Sequence, residues 1–499
     1  MEPARSDHVP DGPSLIDQAR FRERLDRCLT ALRRMVAEGR LAGEEPSTGV
    51  ELEVALVDTE MRPALRNEAV LESSDSEDLT SELGSWNLEL NLPPRKLSEA
   101  AEGVLEEDIR TAVAGAEASA RRVGVRAVTI GILPTLEARH LDSSRLTDDP
   151  RYTLLDSRLT EARGRPFHLD IAAPDGTEHL RMDVPSVAAE AACTSLQLHL
   201  QLAPDALGAH WNAAQAVAGV QLAMAANSPF LLGHRLWAET RIPLFTQAVD
   251  IRTDEERRQG VRPHVWFGDR WVESGLDLFA ENVGHFGTLL PLAGPDEEDP
   301  LEALDRGLAP SLAELHTHDS TVWRWNRPVY GVADGVAHLR LENRVLPACP
   351  TAADAVADAL FFYGLVRGLT RQDRPVWREM SFGTAEANFT AGAQHGIEAT
   401  LSWPGSGSTG APALVEETLL PVAEEGLASW GVDPAVVARH LGVIEQRCRT
   451  RRIGATWQLE VVADLERHGT DRREAMRRML GLYAEGTASG EPVHTWSRP

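Results

Sequence analysis

Lysine is almost absent from the 499 residues, so arginine supplies most of the positive charge and no basic tract forms. With 76 acidic against 50 basic side chains, the net charge of -26 repels nucleic-acid phosphates and anionic lipid, and neither is expected as a partner. Divalent cations can still bridge such a chain to an anionic nucleotide. Cysteine is scarce too. Cys28, Cys193, Cys349 and Cys448 lie far apart with no C-x-x-C pair, which gives no support to a zinc site or disulfide framework and predicts reduced, buried thiols. No apolar run approaches the ~18 residues of a membrane span, and the opening "MEPARSDHVPDGPSLIDQ" has no apolar leader, so a cytoplasmic location is expected. Neither a G-x-S-x-G nucleophile elbow nor a G-x-x-x-x-G-K-[ST] phosphate loop occurs.

What is present is 42% apolar and 25% charged residues, the composition of a folded globular protein with one large core or two. Residues 1–13, rich in Pro, Asp and Gly, are expected to fray, after which "LIDQARFRERLDRCLTALRRMVAEG" has helical spacing through Gly39. Helices are predicted over 97–122, opening at Ser98, and from about Pro204 to Ala226, with "VGVRAVTIGIL" (123–133) as a strand between them. Residues 291–305 read as an acidic surface excursion. From 350 onward helical periodicity dominates, interrupted by "WPGSGSTGAPA" (403–413), which reads as a flexible loop. The expected organisation is one unit over 14–370 with a mostly helical extension, 371–499, packed on it. Strands separated by long irregular insertions, with helices around them, indicate an α+β class.

Side chains alternate across a strand, so "TGVELEVALVD" puts Glu51 and Glu53 on one face and Val50, Leu52, Val54 and Leu56 on the other. "WNLELNLPP" repeats the arrangement with Asn87, Glu89 and Asn91, and "TSLQLHLQL" with Ser195, Gln197, His199 and Gln201. "HLRLENRVL" presents His338, Arg340, Glu342 and Arg344. A half-solvated antiparallel sheet would explain any one of these strands. Together, however, the faces are carboxylate, imidazole, amide and guanidinium with no lysine. If they converge, Glu51, Glu53, Glu89, His199 and Glu342 suffice for about two or three hard cations, Mg²⁺ or Mn²⁺ more readily than Zn²⁺. The arginines on the same strands would then neutralise phosphate oxygens.

These segments, with "ANSPFLLGHRLWAETRIPLFTQAVD" (226–250) and "TVWRWNRPVYGVADGVAHLRLENRVLPACPT" (321–351), resemble in order and spacing the bacterial glutamate-cysteine ligase type 2 family, or carboxylate-amine ligases, over roughly residues 45 to 370. The resemblance implies the fold of glutamine synthetase and the guanido kinases, a curved antiparallel sheet forming a funnel surrounded by helices. It also implies ATP and Mg²⁺ (or Mn²⁺) as cofactors. A carboxylate, usually the γ-carboxylate of glutamate, is phosphorylated, and an amine displaces phosphate to form the amide. Carried onto this sequence, Glu51, Glu53, Glu89, His199 and Glu342 look like metal ligands, and Arg324, Arg340 and Arg344 like binders of phosphate or carboxylate. Arg235 and Arg241 are candidates for anchoring substrate, and Trp323, Trp325 and Asn326 for shaping the pocket. The implied partners are small molecules, an amino acid and an amine. Family members commonly form oligomers, which leaves a homo-oligomer open.

Glu239 in "WAETRIP" is either a base for the amine or a local partner of Arg235 or Arg241. "ANSPF" reads as a helix cap and turn, and His264, His285, His316 and His318 as surface residues in loops. "RTRRIGATWQ" (449–458) reads as a solvated helix end, with a flap over nucleotide phosphates as the alternative. Two functions compete with the ligase. One is guanidino phosphotransfer on the same fold, which forms ADP without inorganic phosphate. The other is a non-catalytic protein that senses a nucleotide or amino acid.

Overall fold

Strand alternation decides the architecture. Along β2 (Ser47–Val57), Val50, Leu52 and Val54 are buried, as are Leu88 and Leu90 on β4 (Asn87–Lys96). Leu196, Leu198 and Leu200 on β8 (Leu196–Leu202), and Leu339 and Leu341 on β14 (Val336–Asn343), complete one continuous apolar face. Each such leucine contributes about 1.5–3 kcal/mol of burial free energy. The computed structural model describes residues 15–43, 46–97, 104–291 and 298–497; the expected fraying of 1–13, the opening at Ser98 and part of the acidic excursion (292–297) lie outside them.

The class is mixed α+β, built on a strongly curled sheet with many helices around it. Strand order in the sheet is β1 (Leu41–Ala42), β14, β8, β2, β4 and β3 (Leu79–Ser81). β5 (Arg126–Val128) pairs with β2, and β13 (Asn326–Ala333) pairs with β14. All these pairings are antiparallel except β1 with β14. Small two-stranded sheets flank it. β6 (Phe167–Ala172) pairs with β7 (His179–Val184), β9 (Phe230–Leu231) with β10 (His234–Arg235), and β11 (Val265–Trp266) with β12 (Trp323–Arg324).

The helix Leu207–Ala225 is apolar on every side and almost wholly buried, as such a composition requires. It packs against the helices Ala352–Thr370 and Phe382–His395. Gly219 and Gly392 sit at the second crossing, where a Cβ on either would run into the other helix's backbone. Tyr363 ties the helix Ala352–Thr370 to the sheet, its hydroxyl bonding Thr48 and donating to the His199 carbonyl at 3.0 Å. No helix among the described residues is long and apolar enough to cross a membrane. All four cysteines are free, and only Cys193 is not fully buried.

Three segments depart from expectation. The strand predicted over 123–133 is realised only as β5. Beyond it, the Ile130 and Gly131 carbonyls accept hydrogen bonds from Thr194, and the Thr129 carbonyl accepts one from Tyr483. The loop predicted at 403–413 begins inside a hairpin, β15 (Thr400–Trp403) with β16 (Gly407–Gly410), followed by the helix Ala411–Leu414. Gly405 (φ 79°) and Gly407 (φ 66°) take the left-handed backbone of its turn. Within 291–305, Pro300–Asp305 is a helix, its Asp299 cap accepting from the Leu301 and Glu302 N–H groups.

Arg447 fastens the C-terminal helices to this body. Wholly buried, it donates to Asp358 at 2.5 Å and Asp354 at 2.9 Å on the helix Ala352–Thr370, and to the Met224 carbonyl at 3.1 Å. Asp354 also accepts the Val493 N–H at 3.1 Å. Removing one member of a buried pair strands the other charge. Arg447→Ala is therefore expected to lower the unfolding free energy by about 3–5 kcal/mol in urea denaturation, well beyond the effect of an exposed arginine.

Candidate active site

The polar face of the sheet brings its carboxylates together by register. Glu53 on β2 lies directly opposite Glu89 on β4, and Thr80 on β3 pairs with Glu89 from the other side. Glu82, just past β3, completes the group: Glu53, Glu82 and Glu89 each offer an oxygen within 4.8 Å of the others. Like charges facing each other across strands repel. Glu53 meets this with three donors, the Ser195 N–H at 2.9 Å, the Ser195 hydroxyl at 2.8 Å and Gln197 Nε2 at 3.0 Å. The other two meet it with protons. Burial and then Glu53 push Glu82 up to about 8, and burial and then Glu82 push Glu89 up to about 9.

Further along the same face, arginines predominate. Glu342, fully buried, accepts Arg327 Nε at 2.8 Å and Nη2 at 2.6 Å on one oxygen, and Arg344 Nη1 at 2.5 Å on the other. Burial works against its charge, yet Arg327 and Arg344 hold its carboxyl well below the usual range. His199 Nε2 stands 2.9 Å from Glu51, and Arg340 donates to His199 Nδ1 at 3.1 Å. That contact leaves the ring proton on Nε2, directed at Glu51. Gly331 faces His338 across the ladder; a Cβ there would stand 2.8 Å from the His338 ring and 2.9 Å from Arg340 Nη1, so glycine makes room for both. Behind the face, buried Arg241 donates to the carbonyls of Val345 at 3.3 Å and Arg344 at 3.4 Å and pairs with Glu239 at 3.4 Å.

The structure thus brings Glu51, Glu53, Glu89, His199, Arg340, Glu342 and Arg344 onto one face, with Arg241 as backing. Glu342 is committed to two guanidinium groups. Trp323 lines a cavity of about 230 Å³ that opens beside Glu82 and Arg344. The remaining candidates lie apart from the cluster. Arg324 on β12 donates to Asn282 at 2.8 Å and Glu281 at 3.0 Å, with its guanidinium 4.2 Å over the Trp266 ring. Asn326 is buried between Gln215 and Asn343. Arg235 is exposed on β10, 3.8 Å from Asp175.

Glu239 pairs locally with Arg241, one of the two readings open for it; it also accepts the Asn227 N–H at 2.8 Å. His264 and His318 are not surface residues: both are buried, bonding the Thr321 and Asn282 carbonyls at 2.9 and 3.0 Å. His285 and His316 are exposed but lie on helices, Gly275–His285 and Ala313–Asp319. Glu82, Glu190 and Arg327 escaped sequence reasoning. β3 is three residues long and carries no period, and Glu190 sits in the alanine-rich 3₁₀ turn Val187–Ala192.

The profile of glutamate-cysteine ligase family 2 matches residues 47–494. Among solved structures, the glutamate–cysteine ligase of Francisella tularensis in complex with AMP has a similar fold, with a TM-score of 0.53 at 11% identity over 92% of this chain and 91% of that one. A bifunctional glutathione synthetase from Pasteurella multocida aligns with a TM-score of 0.44 at 12% identity, over 92% of this chain and 55% of its own. No curated protein sequence matches. The family profile takes in every strand of the curled sheet except β1, with all of the clustered carboxylates and arginines, and the chain belongs to glutamate-cysteine ligase family 2 as a ligase of that type.

Proposed function

We propose that the protein is an ATP-dependent carboxylate–amine ligase that uses Mg²⁺ or Mn²⁺. It activates the γ-carboxylate of glutamate, the default acid, as an acyl phosphate and joins it to an amine, cysteine by default, with release of ADP and phosphate. The curled sheet then serves as the funnel of the glutamine synthetase type. The reading is carried by the cluster of Glu53, Glu82 and Glu89, which offers only oxygen donors and holds protons when no cation compensates it. Such a set fits a hard divalent ion. The ion would be held by these three residues and, when bound, would supply positive charge between phosphate oxygens and the acid.

The chain's own groups do the rest. A carboxylate and a triphosphate repel each other, and Arg340 and Arg344 stand on the same face as the carboxylates to offset that repulsion. Arg241 holds the backbone that carries Arg344, so the guanidinium is aimed before substrate arrives. Gln197 accepts from Arg344, which fixes the side chain further. The 14–370 unit would contain this chemistry, with the C-terminal extension packed on it and the whole acting in the cytoplasm.

A screen of acids and amines with ATP and Mg²⁺ is expected to release inorganic phosphate and ADP only when both co-substrates are present, with the amide found by mass. ADP without inorganic phosphate would indicate guanidino phosphotransfer instead, and nucleotide binding without turnover a sensor. Glu82→Gln is expected to lower turnover about 100-fold at a fixed Mg²⁺ concentration and to raise the Mg²⁺ needed for half-maximal rate.

The raised carboxyl groups set a pH dependence. In the cation-free protein Glu82 and Glu89 hold protons that the unfolded chain releases near the ordinary carboxylate value. Their contribution to stability therefore falls as pH rises from about 4.5 toward about 9. Mg²⁺ must displace the same protons, so its affinity is expected to rise over that range. Calorimetry in two buffers of different ionisation enthalpy checks this by the protons released at pH 7, fewer in Glu82→Gln.

A further inference from the structure

We propose that Glu190 is the carboxylate that receives the incoming amine, accepting its N–H and taking its proton as the carbon–nitrogen bond forms. The assignment rests on the ligase reading above and adds the residue that meets the second substrate.

Three acidic side chains line the cavity beside the carboxylate cluster: Glu82, Glu190 and Asp319. Two are engaged. Glu82 accepts the Leu83 N–H at 2.8 Å and belongs to the cluster with Glu53 and Glu89, while Asp319 accepts Asn282 Nδ2 at 2.9 Å. Glu190 is half-buried, yet among the described residues its carboxylate accepts no hydrogen bond and forms no ion pair. A half-buried carboxylate with no protein donor is an open acceptor toward whatever enters the cavity. Its place in a cavity wall is accounted for by a donor that arrives with a ligand.

The backbone that carries it is fixed at both ends. Ser186 caps the turn Val187–Ala192, its hydroxyl and the Val187 N–H both donating to Asp156 at 2.9 Å. At the other end, Asn87 Nδ2 on β4 donates to the Ala191 carbonyl at 2.5 Å. Glu190 is thus held in register with the strand that bears Glu89.

Charge is mixed around Glu190. Glu53 and Glu82 act on Glu190 with like sign, Arg344 and Arg241 with opposite sign, and the Tyr152 phenol also lies within its field. Glu190 is the acceptor this wall offers an ammonium, while Arg151, Arg327 and Arg344 line the same cavity. The arginine-rich stretch of the sheet suits the acid and the phosphates. Burial and then Glu53 push Glu190 up to about 7, where a carboxylate both takes and gives up a proton near neutrality.

The step balances. The ammonium hands one proton to a Glu190 oxygen, and the freed nitrogen lone pair forms the bond to the acyl carbon. The carbon–oxygen bond to the phosphoryl group breaks, and phosphate leaves with that electron pair. The second nitrogen proton departs with phosphate, and the proton on Glu190 passes to solvent.

Two amine probes test this with glutamate, ATP and Mg²⁺: cysteine, whose amine is cationic near neutrality, and hydroxylamine, already neutral there. Glu190→Gln is expected to lower kcat/KM for cysteine about 100-fold and to leave hydroxamate formation from hydroxylamine largely intact. Retained hydroxamate formation also shows that the variant folds and still activates the acid. Glu190→Asp is expected to recover part of the cysteine rate. Equal losses toward both amines, or no loss toward either, overturns the role of Glu190 while the ligase reading stands. Wild-type protein that yields neither product overturns the ligase reading itself.

Discussion

Register places Glu53 against Glu89 inside the protein, with Glu82 closing the group, and the polar half of the molecule is organised around that repulsion. At an effective dielectric of about 20, two unit charges ~5 Å apart repel by roughly 3 kcal/mol. The fold answers in two ways along one surface. Near the cluster it supplies donors to Glu53 and leaves protons on its neighbours; near Glu342 it supplies two guanidinium groups. The surface therefore runs from a carboxylate pole that holds protons to a pole rich in arginine. Under the proposed ligase chemistry, driving a carboxylate onto a triphosphate would use both poles, fixed beforehand.

The four strands that build this surface were legible because alternation is a local rule. In β2, β4, β8 and β14 the period of two separates leucines from carboxylates, amides and guanidinium groups, and the polar sets do converge. The pieces that escaped are those where no period exists. Glu82 follows a three-residue strand, Glu190 lies in a 3₁₀ turn, and both are recruited by contacts more than 25 residues away in sequence from at least one partner.

Over-reading had physical causes as well. "VGVRAVTIGIL" is apolar enough for a strand, but its later carbonyls satisfy Thr194 and Tyr483 instead of a ladder. Glycine and serine made 403–413 read as a loop, although two of those glycines serve the turn of a hairpin. Arg324 and Asn326 flank the polar strands in sequence, but non-local pairing of β12 with β11 draws Arg324 toward Glu281 and Trp266. Burial of His264 and His318 was likewise set by packing that isolated histidines do not announce.

The bond from Tyr363 to the His199 carbonyl has a practical corollary for anyone trimming the protein. The recognisable motifs end near residue 350, which invites a minimal fragment cut there. Such a fragment would discard the helix Ala352–Thr370, and with it the hydroxyl that bonds both Thr48 on β2 and the backbone of the strand bearing the imidazole. A cut at 350 thus removes a support of the polar strands, and diversity beyond that point is better sought by substitution than by excision.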